Sequence, residues 1–228
     1  MSSDFITRRE FLSRVCRYSS LSMMALFFGC DIARLGEGQK KKTALIYATR
    51  YGATKETATW IQEGMQGPVD LLDIETISFS DVTARYDHFI IGSGVWIGGV
   101  HKKIIEFLES RKKELSGRVL ATFVVCGTDG STESGRKRID GYFTPLYACL
   151  DKKPLLSRYF GGRVIVENLT DEDRQALTVF YKTYLRAELR SWDRTDPEKA
   201  ALFGGEVKRR LGEKMSVSES TNTLVSRV

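Results

Sequence analysis

Cysteine and histidine are scarce in this chain of 228 residues, which has four of the first and two of the second. No Cys-x-x-Cys pair and no Cys/His cluster occurs, which argues against a zinc site or a thioredoxin-like dithiol. Cys126 closes an apolar strand-like run and Cys149 falls in a helical stretch, so both read as small buried residues rather than ligands. Surplus charge is also scarce. The formal net charge is +6, but residues 1–42 hold +4 of it and residues 213–228 hold none, leaving +2 for the body. That is too little to argue for a nucleic-acid partner. Neither Gly-x-x-x-x-Gly-Lys-Ser/Thr nor Gly-x-Gly-x-x-Gly is present, no internal repeat is visible, and Ser, His and Asp fall in no recognisable catalytic arrangement. What is present is ordinary globular composition, 42% hydrophobic and 28% charged, in enough residues for one domain with terminal extensions.

Residues 1–30 read as an address. Thr7, Arg8, Arg9, Phe11 and Leu12 resemble the twin-arginine export signal, and the apolar run from Leu21 to Gly29, broken by Ser22, follows it. That run is short of the about 20 apolar residues a membrane-spanning helix needs, and it has the length of a signal-peptide core. The competing reading is a retained amphipathic helix that happens to contain Arg-Arg. Asp4 and Glu10 depart from the signal's usual positive bias, and no Ala-x-Ala cleavage site is evident. Gly29-Cys30 loosely resembles a lipoprotein box, with Phe27 and Phe28 bulkier than that box prefers. The expectation is a periplasmic protein, or one attached to the outer face of the cytoplasmic membrane through a lipidated Cys30; the alternative is a cytoplasmic, membrane-associated one. Twin-arginine signals carry folded proteins, often with a cofactor already bound. Residues 31–42 form a polar linker.

From Thr43 the chain alternates short apolar runs with helical patterns. "TALIYA", "VDLLDIETI", "HFIIGSG", "RVLATFVVCG" and "GGRVIVE" read as five strands. Helices are expected through "ATKETATWIQEGM", through "KKIIEFLESRKKEL" with Ile104, Ile105, Phe107 and Leu108 on one face, and from Tyr142 to Leu150. A longer helix opens at Thr170, with Asp171 to Asp173 in a first turn that favours acids. Continuous apolar strands separated by amphipathic helices indicate an α/β fold with a doubly wound five-stranded parallel sheet, order 2-1-3-4-5, and helices on both faces. The expected domain spans residues 43–192, followed by a short helical extension over 193–212 and a mobile tail over 213–228.

In such a sheet ligands bind beyond the carboxyl ends of the strands, where strand order reverses. Three loops lie there. "ATRYGAT" offers a helix N-terminus, the hydroxyls of Thr49 and Thr54, and Gly52 for a positive φ or close backbone approach, which together suit an anion. Taken alone it reads better as a plain turn with Thr54 as the helix cap. "GSGVWIGGVHK" sets Trp96 among Gly92, Gly94, Gly98 and Gly99, a platform for a planar ring. "CGTDGSTESGRKR" reads as a long polar loop whose Gly127, Thr128, Asp129 and Gly130 offer backbone groups to a ring edge.

"YATRYGATKETA", "YDHFIIGSGVWIGGVHKKIIEFL" and "GRVLATFVVCG" together resemble flavodoxin-like proteins, in particular the branch that includes menaquinone-dependent protoporphyrinogen oxidase. The resemblance covers about residues 43–190 and weakens after Gly130. It implies a non-covalent FMN, with Thr49, Arg50, Tyr51, Gly52, Ala53 and Thr54 around the phosphate. Ser93, Gly94, Val95, Trp96, Ile97 and Gly98 would flank the ring, joined by Gly127, Thr128, Asp129 and Gly130. Two departures stand out. Tyr51 replaces the usual Thr, leaving Arg50 to compensate. The ring loop from Ser93 to Lys103 holds no acid and carries His101, Lys102 and Lys103, where flavodoxins are typically acidic. Positive charge there would make the second reduction potential less negative than a typical flavodoxin's. Three functions follow as alternatives: an exported FMN electron carrier or small oxidoreductase working with a redox partner protein or quinone, a protoporphyrinogen oxidase, or a flavin-free module of the same shape.

Overall fold

The computed structural model describes residues 42–225, with side chains described to residue 213. The signal-like segment, Cys30 and all of the linker but Lys42 lie outside the described residues. Strand β1, Thr43–Ala48, is buried along its whole length. It leads through the loop at Thr49–Gly52 into helix α1, Ala53–Met65. Then come β2, Val69–Asp73, the short α2, Phe79–Arg85, and β3, His88–Trp96. A two-residue strand β4, Gly99–Val100, folds back on the end of β3 and leads to α3, Lys102–Ser110, and α4, Lys112–Leu115. Strand β5, Val119–Cys126, is followed by α5, Glu133–Ala148, and β6, Leu156–Gly161. The main sheet runs β2-β1-β3-β5-β6, all parallel, with β4 an antiparallel appendage. This is the expected order 2-1-3-4-5, counted over the five long strands.

Both faces of the sheet are covered because its strands are apolar on both sides. In β1, Ala44, Ile46 and Ala48 join a core with α2, α3 and α5, while Leu45 and Tyr47 face the other way onto α1. The second core is finished by the C-terminal helix α7, Pro197–Val225. Phe123, Phe160 and Phe203 meet edge to face there, with centroids 6.0 and 5.7 Å apart. The packing of α1 on α7 is close enough to require glycine. A Cβ on Gly64 would stand 1.9 Å from the Ala201 carbonyl oxygen, and one on Gly204 would stand 2.1 Å from that of Ile61.

Several sequence-based boundaries move. The fifth strand is "LSRYFG", Leu156–Gly161, and not "GGRVIVE"; that run yields only β7, Arg163–Val164. The returning chain at Arg194 crosses so close to Gly161 that a Cβ there would meet its carbonyl oxygen at 2.1 Å, which ends the edge strand. Helix α5 starts at Glu133, nine residues before the expected Tyr142, so much of the third loop is helical. Thr132 caps it by accepting from the Gly135 N–H at 3.0 Å. Ile139, Tyr142, Phe143 and Leu146 supply the buried face at helical spacing, after an "ESGRKR" opening that is exposed except at Gly135. Helix α6, Asp171–Phe180, is capped by Thr170 as expected and runs into a π turn, Tyr181–Leu185. The chain then forms β8, Trp192–Asp193, antiparallel to β7. Helix α7 continues past Glu213, where an aperiodic tail was expected, to Val225.

The β3–β4 hairpin turns through Ile97 and Gly98, both at positive φ (43° and 88°). Positive φ at both central residues is the mark of a type I′ hairpin loop, and a β-branched side chain is the least suited to it. Ile97 is 43% exposed, so little packing offsets the strain. Ile97→Asn is expected to raise stability by about 1 kcal/mol and the melting temperature by about 2–4 °C, read by thermal denaturation.

Candidate functional site

The carboxyl ends of β1, β3 and β5 open into one cleft of about 890 Å³. That is within the range of roughly 300–1,000 Å³ usual for small-molecule and cofactor sites. Thr49, Arg50, Tyr51, Ala53, Thr54, Gly94, Val95, Trp96, Ile97, Gly98, Gly127, Thr128 and Asp129 all line it. Three other candidates serve as supports. Gly52 is the helix N-cap at φ 89°. Ser93 is fully buried, donating from Oγ to the Gly94 carbonyl and accepting the His101 N–H. Gly130 packs against the Tyr159 ring, whose hydroxyl oxygen a Cβ would meet at 2.1 Å.

At one end of the cleft, α1 begins without a side-chain cap from Gly52. Thr49 Oγ1 accepts the Gly52 N–H at 3.0 Å, and the first helical bond is from the Glu56 N–H to the Gly52 carbonyl. The N–H groups of Ala53, Thr54 and Lys55 precede that bond and face the helix's positive dipole end, a donor set suited to a phosphate. Thr54 lies inside the helix and is buried, not at the cap. A Cβ on Gly94 would stand 2.8 Å from Thr54 Oγ1, so the ring loop and the phosphate loop meet where only glycine fits.

Arg50 does not point free into this cradle. Its Nε and Nη2 donate to the Asp173 carboxylate at 2.7 and 2.5 Å, and the Tyr51 hydroxyl donates to the same group. The Thr170 N–H donates to the Tyr51 oxygen at 3.3 Å, so helix α6 is pinned to the phosphate loop. Asp173 is buried and its role was hidden: three acids at a helix start read as dipole partners, and the sequence gives no sign that one reaches back to Arg50. The Arg50 guanidinium also lies over the Trp96 ring, 4.6 Å from its centroid, and Tyr51 tilts against the same ring at 6.0 Å. One face of the aromatic platform is therefore taken by Arg50.

Hydrogen bonding from Arg50 is the main cause holding the Asp173 carboxyl below its ordinary value, with burial opposing it and Tyr51 assisting. Because the folded value is depressed, this contribution is complete above the unfolded value of about 3.9 and is lost as pH falls through the folded one. Asp173→Asn is expected to cost about 1–2 kcal/mol at pH 6 and distinctly less at pH 3, the gap being read from urea unfolding curves of both proteins.

Around the ring end, the charge differs from what the ring loop alone implies. Glu75, from the turn after β2, pairs with Lys103 and lies 3.5 Å from His101 Nε2. Lys102 remains exposed at the cleft. A further wall comes from the C-terminal part of the chain: Leu177, Phe180, Tyr181, Leu185, Trp192 and Arg194. Trp192 donates from Nε1 to the Tyr181 hydroxyl at 2.7 Å and covers Gly127, where a Cβ would lie 3.0 Å from the indole. Arg194 lies over Trp192 and donates to the Gly127 carbonyl at 3.1 Å. A tryptophan inside the polar run "RSWDRTD" was the one sequence signal for this wall. Cys126, at the cleft floor, has its thiol pushed up by burial.

The sheet order and a cleft at its switch point define a flavodoxin-like fold, and residues 44–188 match the flavodoxin domain family, to which the chain belongs. Among solved structures, it is similar to oxidised flavodoxin 1 from Bacillus cereus, at 19% identity and TM-score 0.45 over 74% of this chain and 97% of that one. It is also similar to a flavodoxin, WrbA-like protein from Agrobacterium tumefaciens, at 16% identity and TM-score 0.44 over 76% and 98%. The flavodiiron protein from Giardia intestinalis gives 15% identity and TM-score 0.45 over 75% of this chain but only 36% of that one. No curated protein matches the sequence significantly.

Proposed function

We propose that this protein binds FMN non-covalently in the cleft and transfers electrons through it. One observation carries the reading. A helix N-terminus with three open N–H donors and an aromatic platform, Trp96, sit at adjacent strand ends of one cleft, the first suited to a phosphate and the second to a flat ring. The Ala53, Thr54 and Lys55 N–H groups would hold the phosphate, and Arg50 would contribute from the position Asp173 gives it. Trp96, Ile97 and the Gly127–Asp129 segment would bound the ring. Bound flavin supplies the electron chemistry, and the chain positions it, tunes its charge environment and limits its contact with water.

Adding FMN to the flavin-stripped protein tests this directly. Saturable quenching of flavin fluorescence at one equivalent, with shifted absorption bands, is the expected result; unchanged free-flavin fluorescence would overturn it. Redox titration of the loaded protein should then give a second potential less negative than that of an acid-lined flavodoxin. Because Glu75 neutralises Lys103, most of that displacement is expected to vanish in Lys102→Glu.

We further propose that the protein is exported, on the strength of the pattern from Thr7 to Leu12. Mass spectrometry of the native N-terminus would show cleavage, and lipid on Cys30 if it is attached there. Loss of heme-precursor oxidation in cells lacking the protein, restored by adding it, would favour the protoporphyrinogen oxidase alternative.

A further inference from the structure

Six of the residues lining the cleft other than His101 are charged, and their balance is lopsided: Arg50, Lys102, Arg138, Arg163 and Arg194 against Asp129. Two of the five cations are matched from outside the cleft. Arg50 is held by Asp173, and Arg163 by Glu56 and Asp193. The other three border the ring end. Lys102 stands at the end of the ring loop, where α3 begins, Arg138 on the second turn of α5, and Arg194 is tied to Gly127 of the third loop. Among the described residues neither Lys102 nor Arg138 has an acidic partner within 4.0 Å. None of these three lies on β1, on the loop after it or on α1, the elements that would hold a phosphate.

The same rim exposes apolar surface. Ile97 at the hairpin tip and Leu185 in the π turn line the cleft and are 43% and 41% exposed. Beyond the cleft, the segment "VFYKTYLR" continues with Val179 and Tyr184, both more than half exposed, interleaved with exposed Lys182 and Arg186. Arg194 is offset in part by Asp129, and Lys102 and Arg138 are not; apolar side chains interspersed with such an excess of cations, and extending past the cleft, suit a macromolecular surface better than a small ion.

We infer that the ring end of the cleft, bounded by Lys102, Arg138 and Arg194 and by Ile97 and Leu185, is the docking surface for an acidic one-electron redox protein. The charge pattern selects the partner: a carboxylate-rich face is drawn to this rim and a lysine-rich one is repelled, which acts mainly on the rate of encounter. Docking itself needs only the rim. Electron transfer through it rests on the FMN reading above.

The test uses the full chain with two probes of opposite charge. Reduced plant-type [2Fe–2S] ferredoxin, which is acidic, gives one electron to the FMN-loaded protein. Basic cytochrome c takes one electron from the photoreduced protein. Stopped-flow rate constants are compared at full flavin occupancy between about 10 mM and about 300 mM salt, which shortens the screening length several-fold. The ferredoxin rate is expected to fall at least about tenfold across that range while the cytochrome c rate rises or stays level. Charge reversal in Lys102→Glu/Arg138→Glu should slow ferredoxin about tenfold at low salt and remove its salt dependence.

A ferredoxin rate indifferent to salt in the parent protein overturns the inference without any variant. So does a faster low-salt reaction with cytochrome c. If the chain takes up no flavin, the cofactor reading fails on its own. Docking is then read from ferredoxin amide shifts on adding the flavin-free chain. Shifts abolished by the double reversal support the surface, and their absence in the parent refutes it.

Discussion

Gly204→Val is expected to cost the protein about 3 kcal/mol or more. The added side chain would begin 2.1 Å from the Ile61 carbonyl oxygen and 3.0 Å from the Met65 nitrogen, both of them backbone atoms in α1 that no rotamer change can move. Overpacking a close contact usually costs about 1–3 kcal/mol, and a collision with helix backbone belongs at the top of that range or beyond. The second core depends on this contact, because Ala200, Phe203 and Val207 reach Phe160 and Ile61 only while α7 lies flush on α1. In a chain of this length the loss corresponds to a fall in melting temperature of roughly 6–12 °C. The adjacent glycine should behave oppositely. A Cβ on Gly205 would be an ordinary 3.7 Å from the Gly64 carbonyl oxygen, so Gly205→Ala should gain about 0.5–1 kcal/mol from helix propensity alone. Chemical denaturation of the two variants should therefore bracket the parent. Equal effects from both would show that α7 does not rest on α1 at these residues.

The second large effect is expected at the cofactor cleft. Gly94→Val would place a Cβ 2.8 Å from Thr54 Oγ1 and 3.5 Å from the Ala48 carbonyl, with two methyl groups still to accommodate. Something at the junction of β3 and α1 must then move, and the first turn of α1 is the part not anchored in the sheet. Displacing it swings the open N–H groups of Ala53, Thr54 and Lys55 away from a phosphate held against the ring loop. A loss of about 2.7 kcal/mol, or a hundredfold in the dissociation constant for FMN, is the expected result of a fluorescence titration. Gly141→Ala serves as the control, since Gly141 does not line the cleft and its Cβ would meet nothing within 4 Å. A Gly94→Val protein that binds FMN as tightly as its parent would mean that the phosphate does not lie at this junction.

The sheet was legible because its three inner strands, β1, β3 and β5, are nearly continuous apolar runs, which a parallel sheet covered on both faces accommodates. The edge strand was not. "LSRYFG" buries Phe160 fully, Leu156, Arg158 and Tyr159 only in part and Ser157 hardly at all, and the adjoining "VIV" is more apolar than it is. The first and second loops were legible for the same reason as the strands: their places follow from topology, and their glycines and Trp96 stand out in composition. The third wall was illegible. Asp173 lies 123 residues from Arg50, and Trp192 reaches Gly127 only after the chain has crossed the sheet end, so neither contact leaves a local pattern. Glu75 was missed likewise, since a charge count along one loop says nothing about acids delivered by another.

That long return of the chain has a consequence for the order in which the cleft is made. On a ribosome adding roughly 5–20 residues per second, the Thr49–Gly52 loop emerges on the order of ten seconds before Asp173 can reach it. Trp192 and Arg194 arrive later still, and the half of the core that needs Phe203 follows them. Any ligand that requires all the walls of the cleft therefore meets a chain already synthesised at least through Arg194.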